Sequence, residues 1–116
     1  MKRSKKLPAW YAVLYIRVAA KARSMGYAIA VHGSMVRDVD LIAIPWTDNA
    51  VSARELVKAI AAICNGYLAQ SKPEEGGRYR VPMIKPHGRL AYSIHLGGGP
   101  YIDLSVMPRK RKRDTK

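Results

Sequence analysis

Apolar and polar positions along this chain follow two periods in turn, and the switches between them mark its elements. Trp10, Leu14 and Val18 recur at helical spacing, with Arg17, Lys21 and Arg23 supplying charge. Pro8 suits a first helical turn and Gly26 a left-handed C-cap, so the pattern predicts a helix over about 8–25. Tyr27 to His32 is short and β-prone and predicts a strand. Gly33 to Arg37 is a tight connection. Asp38 to Ile44 predicts a second strand, ended by Pro45. So short a link makes the two strands antiparallel neighbours.

Ser52-Ala53-Arg54-Glu55 is a capping box. Leu56, Ile60 and Ile63 follow it at helical spacing, and Gly66 stands as the stop. Residues 69–89 hold Pro73, Gly76, Gly77, Pro82, Pro86 and Gly88. They predict a long loop with at most a short strand around Tyr79 to Met83. Leu90 to Leu96 and Tyr101 to Met107 predict two further strands. Gly97-Gly98-Gly99-Pro100 turns one into the other as a hairpin, and Pro108 ends the last. Together these elements predict an α+β fold: a small mixed or antiparallel sheet of about four strands packed on two helices. Trp10 and Trp46 are expected to anchor the core.

At 116 residues the chain is long enough for one domain with its own core, and at 48% hydrophobic it is not a disordered chain. The periodic part predicts a domain over residues 8–108, flanked by basic tails at 1–7 and 109–116. The net charge of +13 is concentrated in those tails. Residues 1–6 carry four Lys/Arg and no acid, while 109–116 carry six and one acid, Asp114. The block Arg109-Lys110-Arg111-Lys112-Arg113 is expected to grip RNA or DNA phosphates. The blander alternative is a solvated end that aids solubility. The single cysteine, Cys64, fits a reducing compartment. The basic start runs into Pro8 and Trp10 rather than a long apolar core, and no apolar stretch is long enough to span a bilayer. The expected location is cytoplasmic, away from membranes.

Three of the eight acids, Asp38, Asp40 and Asp103, lie in strand-like apolar runs, where charges are rarely buried without partners. Alternation puts Asp38 and Asp40 on one face, with Val39 and Leu41 on the other. Two carboxylates about 4 Å apart repel by about 4 kcal/mol at an effective dielectric near 20. A cation held between them removes that cost. Carboxylates gathered from neighbouring strands make an oxygen-ligand site suited to Mg²⁺ or Mn²⁺. The alternative is three separate acids, at a hairpin end and on edge strands facing solvent. Tyr79, Tyr92 and Tyr101, interleaved with Arg78, Arg80, Lys85 and Arg89, either stack on bases or pack in the sheet.

Gly33-Ser34 before Asp38-Val39-Asp40-Leu41, with a later Tyr101-Ile102-Asp103-Leu104, resembles the DNA polymerase beta-type nucleotidyltransferase superfamily, minimal nucleotidyltransferases included. The resemblance covers roughly residues 8–107 and includes the order of elements. It implies a nucleotidyltransferase-like core in which Gly33 and Ser34 meet a nucleoside triphosphate. Asp38 and Asp40 would hold the metal ions. Asp103 would hold the catalytic ion and help deprotonate the acceptor hydroxyl. In active members the interval from Gly-Ser to the first metal aspartate is longer and starts a helix whose amides face the triphosphate. Here only Met35, Val36 and Arg37 intervene, so Arg37 either replaces those amides as a phosphate contact or balances Asp38. Nearly end to end, the chain also resembles small phage-encoded proteins, through Arg37 to Trp46 and His95 to Arg109. That resemblance would place it in a host's cytoplasm.

Two functions follow as expectations. One is a metal-dependent transferase moving a nucleoside monophosphate from a nucleoside triphosphate to a hydroxyl of RNA or protein. The other is a catalytically inactive relative that binds nucleic acid or a host protein. With no second large domain to select an acceptor, an accessory partner or self-association is expected.

Overall fold

The computed structural model describes residues 9–33, 39–68, 82–97 and 101–109. The tail at 1–7, Pro8, and all of the 109–116 tail except Arg109 lie outside them. Helix α1 spans Ala9–Ser24. Its buried stripe is Tyr11, Val18 and Ala22, with Leu14 and Tyr15 half-buried between them. Trp10 lies about 100° around the axis from Tyr11 and leaves that stripe. It is 45% exposed, edge-on to the Tyr11 ring, which corrects its expected place in the core. The Tyr15 hydroxyl donates to the Ile29 carbonyl and fixes the helix on the sheet. Gly26, at φ +94°, turns the chain out of α1. A Cβ there would stand 2.6 Å from the Ala50 Cα, so the turn needs glycine twice over.

Strand β1, Tyr27–Val31, pairs antiparallel with β2, Val39–Pro45, as the short link requires. Helix α2, Ala53–Ile63, starts on the capping box: Ser52 accepts from the Glu55 amide, and the Glu55 carboxylate accepts from the Ser52 amide. Leu56, Val57, Ile60 and Ala61 form its buried face. Ser52→Ala is expected to cost about 1 kcal/mol of stability, read from urea unfolding. The helix ends on Asn65, the left-handed residue at φ 53°, not on Gly66. The Gly66 amide then closes the turn on the Ala61 carbonyl. Gly66 is needed for a different reason: a Cβ there would lie 2.7 Å from the His95 carbonyl oxygen.

That close approach lets the chain pair briefly as β3, Tyr67–Leu68. Strand β4, Met83–Ile84, comes later, then β5, Leu90–His95, and β6, Tyr101–Val106. Among the described residues the sheet therefore has six strands where about four are expected, in the order β1-β2-β6-β5-β3, with β4 also pairing β5. The two extra strands are two residues each, too short to carry an alternation signal, and β4 meets at Met83 the short strand expected around Tyr79 to Met83. Strands β5 and β6 form the expected antiparallel hairpin, while β6 runs parallel to β2, so the sheet is mixed.

Both helices join one hydrophobic core against one face of the sheet. Leu41, Ile94, Ile102 and Leu104 are all fully buried there. The Tyr27 hydroxyl donates to the Val51 carbonyl at 2.6 Å, and burial pushes its pKa up. No described helix is long and apolar enough to cross a membrane.

Candidate active site

The opposite face carries no helix among the described residues, and strand parity decides what it displays. Val39 and Leu41 point into the core, so Asp40 points away from it. Ile102 and Leu104 do the same for Asp103. The parallel register then pairs Asp40 with Asp103 on adjacent strands. Ser93 on β5 extends the row on one side. His32 extends it on the other, its amide donating to the Asp40 carbonyl at 2.9 Å. Neighbouring strands lie about 4.8 Å apart, so two half-buried carboxylates stand side by side.

Gly33 completes this corner. Its φ is +80°, and a Cβ added there would lie 2.6 Å from Asp40 Oδ2. The backbone is thus folded directly onto the carboxylate, leaving room only for glycine. Gly33→Ala is expected to cost about 1–2 kcal/mol, because an L side chain resists the left-handed region. It also forces the Asp40 carboxylate to move, so any Mg²⁺-dependent stabilisation should shrink with it. Urea unfolding with and without Mg²⁺ measures both effects.

Carboxylate oxygens are hard donors, and Asp40 and Asp103 bring two carboxylates side by side. Among the described residues no group of three or more His, Cys, Asp or Glu gathers. Ser34, Arg37 and Asp38 lie outside the described residues, as do Lys110, Arg111, Lys112, Arg113 and Tyr79.

The remaining candidates fall into place around the pair. Arg89 Nη1 donates to Ser105 Oγ at 2.8 Å. Ser105 shares the face of Asp103, one pleat along β6, so this guanidinium is held about 7 Å along the strand from the acid row. Arg109, beyond the end of β6, donates to the Ala50 carbonyl at 3.1 Å. Tyr92 is buried in the core, and burial pushes its hydroxyl pKa up, so it packs rather than stacking on a base. Trp46 is 78% exposed, correcting its expected place as a core anchor: it follows Pro45 out of the sheet. It lines a groove of about 960 Å³ that starts at Ile42, the next residue after Asp40 on this face, and reaches Met107 and Arg109. A second concavity lies between α1 and β1, lined by Tyr15, Ile16 and Arg23. The two acids line neither. Burial pushes the Cys64 thiol up, against a smaller opposing pull from Arg17, so it is a poor nucleophile.

Sequence reasoning missed Tyr67 as the neighbour of His95. Their rings stack 5.2 Å apart, 20° from parallel, and Tyr101 follows His95 at 5.8 Å. The hairpin spacing made the His95–Tyr101 pair legible; nothing in the sequence announced Tyr67. Comparison of the chain with protein-family models, with curated proteins and with solved structures finds no match.

Proposed function

We propose that this chain is a divalent-metal-dependent nucleotidyltransferase with a nucleotidyltransferase-like core, moving a nucleoside monophosphate from a nucleoside triphosphate to a hydroxyl. The observation that carries this reading is the pairing of Asp40 with Asp103 on parallel strands, with Gly33 pressed against the Asp40 carboxylate. Asp40 and Asp103, with Asp38, are the residues that would hold Mg²⁺ or Mn²⁺. When bound, such an ion supplies charge stabilisation to the triphosphate and its pyrophosphate leaving group.

The chain's own residues have distinct parts. Asp103 takes the proton of the acceptor hydroxyl. The hydroxyl oxygen forms its bond to the α-phosphorus, and the α–β bridging bond breaks. Its electron pair leaves with pyrophosphate. Arg89, fixed by Ser105, offers a guanidinium to the phosphates beside the acid row. By the resemblance, Gly33 and Ser34 would meet the triphosphate and Arg37 would add a phosphate contact; Ser34 and Arg37 lie outside the described residues.

The test uses the full chain, radiolabelled nucleoside triphosphates, an RNA or protein acceptor and Mg²⁺ or Mn²⁺. Release of pyrophosphate with transfer of label is expected, and EDTA should stop it. Absence of turnover with all four nucleotides and both ions overturns the reading. It would leave a protein that binds nucleic acid or a host factor.

A further inference from the structure

We propose that the sheet edge at Tyr67 is a stacking site for an unpaired base of single-stranded nucleic acid. The base would continue a column of rings made by Tyr67, His95 and Tyr101. The column exists because Tyr67 is in register with His95, and His95 with Tyr101, across three strands. The first two rings are nearly parallel, 20° apart at 5.2 Å, and the third is tilted by 41°. Among the described residues strand β3 is the last in the sheet order, so the described column ends at Tyr67. Tyr67 gives one ring face to His95 and is still 63% exposed. Most of its side chain therefore remains in water despite that stack, and a base covers such an aromatic surface well.

Charge selects the occupant. The chain carries 21 Lys/Arg against 8 Asp/Glu, so it attracts a polyanion. At 63% exposed, Tyr67 offers a ledge, suited to a flat ring on a flexible strand rather than to an enclosed small molecule. A duplex cannot use the ledge, because its bases already stack on one another. Asp103 lies one pleat from Tyr101 on the same face and repels phosphates, so the strand's backbone passes outside the edge. This binding needs neither metal nor triphosphate, so it goes beyond the transfer reading.

The test is anisotropy of fluorescein-labelled oligo-U and oligo-dT, and of a duplex of equal length, titrated with the full chain in EDTA. Tyr67→Leu keeps an apolar side chain but removes the flat face. It is expected to weaken single-strand binding roughly tenfold and leave duplex binding unchanged, with Tyr67→Trp binding at least as well as the parent. A loss with oligo-U alone assigns RNA, with oligo-dT alone DNA, and with both a sugar-blind site. Unchanged binding of Tyr67→Leu to both single strands overturns the proposal, as does an equal loss for the duplex. The Asp40→Asn/Asp103→Asn double variant should bind oligonucleotides at least as well as the parent, since it removes the negative charge that the strand's phosphates avoid. Loss of transfer in that variant therefore bears on the catalytic reading alone.

Discussion

Asp103→Asn is expected to lower Mg²⁺-dependent nucleotide transfer by about a thousandfold, since it removes both half of the paired donor set and the proton acceptor. The same variant should behave in the opposite sense without metal. Carboxylates about 4.8 Å apart repel by about 1 kcal/mol in water-like surroundings and about 3.5 kcal/mol at a dielectric of 20. Both groups here are half-exposed, so solvent screening keeps the relief from one neutral amide to at most about 1 kcal/mol. That corresponds to a rise of up to about 4 °C in Tm for a domain of this size. Saturating Mg²⁺ should then invert the order. A site filled at a hundred times its Kd stabilises the parent by about 2.7 kcal/mol, and the variant gains little. Thermal melts of the two proteins, each with EDTA and with Mg²⁺, give four numbers that must cross. If Mg²⁺ shifts both equally, the carboxylates hold no ion.

Leu104→Ala, one residue along the same strand, is expected to be the most destabilising single change. Leu104 is fully buried on the helix side of β6, in register with Leu41 on one neighbouring strand and Tyr92 on the other. Truncating a leucine in such a place costs about 3–4 kcal/mol, from lost transfer energy and the cavity left behind. A domain of this kind has about 5–15 kcal/mol in total. The urea midpoint should therefore fall by more than about 1 M, with little change in slope. A loss under about 1 kcal/mol would mean that the helices do not pack over β6. The contrast with Asp103 checks the strand's parity directly: adjacent residues, opposite faces, opposite signs.

Most of the architecture was legible where local chemistry is strong. The Ser52 capping box starts α2, Gly26 ends α1, and the short Gly33–Arg37 link makes β1 and β2 antiparallel. Alternation alone set the parity of Asp40 against Val39 and Leu41, not the face that Asp103 would share. It could not say that β6 would run parallel to β2, because that depends on which strands meet, a tertiary matter. Strand β3 escaped notice because two residues have no period, and Gly66 was read as a helix stop when its role is close approach to His95. Trp10 and Trp46 were misplaced by residue type: large aromatics favour interiors, but one lies off the buried stripe and the other beyond the strand end.

The position of β6 between β2 and β5 sets the timetable by which a nascent chain completes its sheet. Residues 39–45 leave the ribosome long before residues 101–106, and meanwhile β2 has an open hydrogen-bonding edge. Such an edge recruits other polypeptides, so chaperone shielding during synthesis should raise the soluble yield. It also means that translation must pass residue 106 before the two acids can meet, so truncated products cannot bring Asp103 beside Asp40.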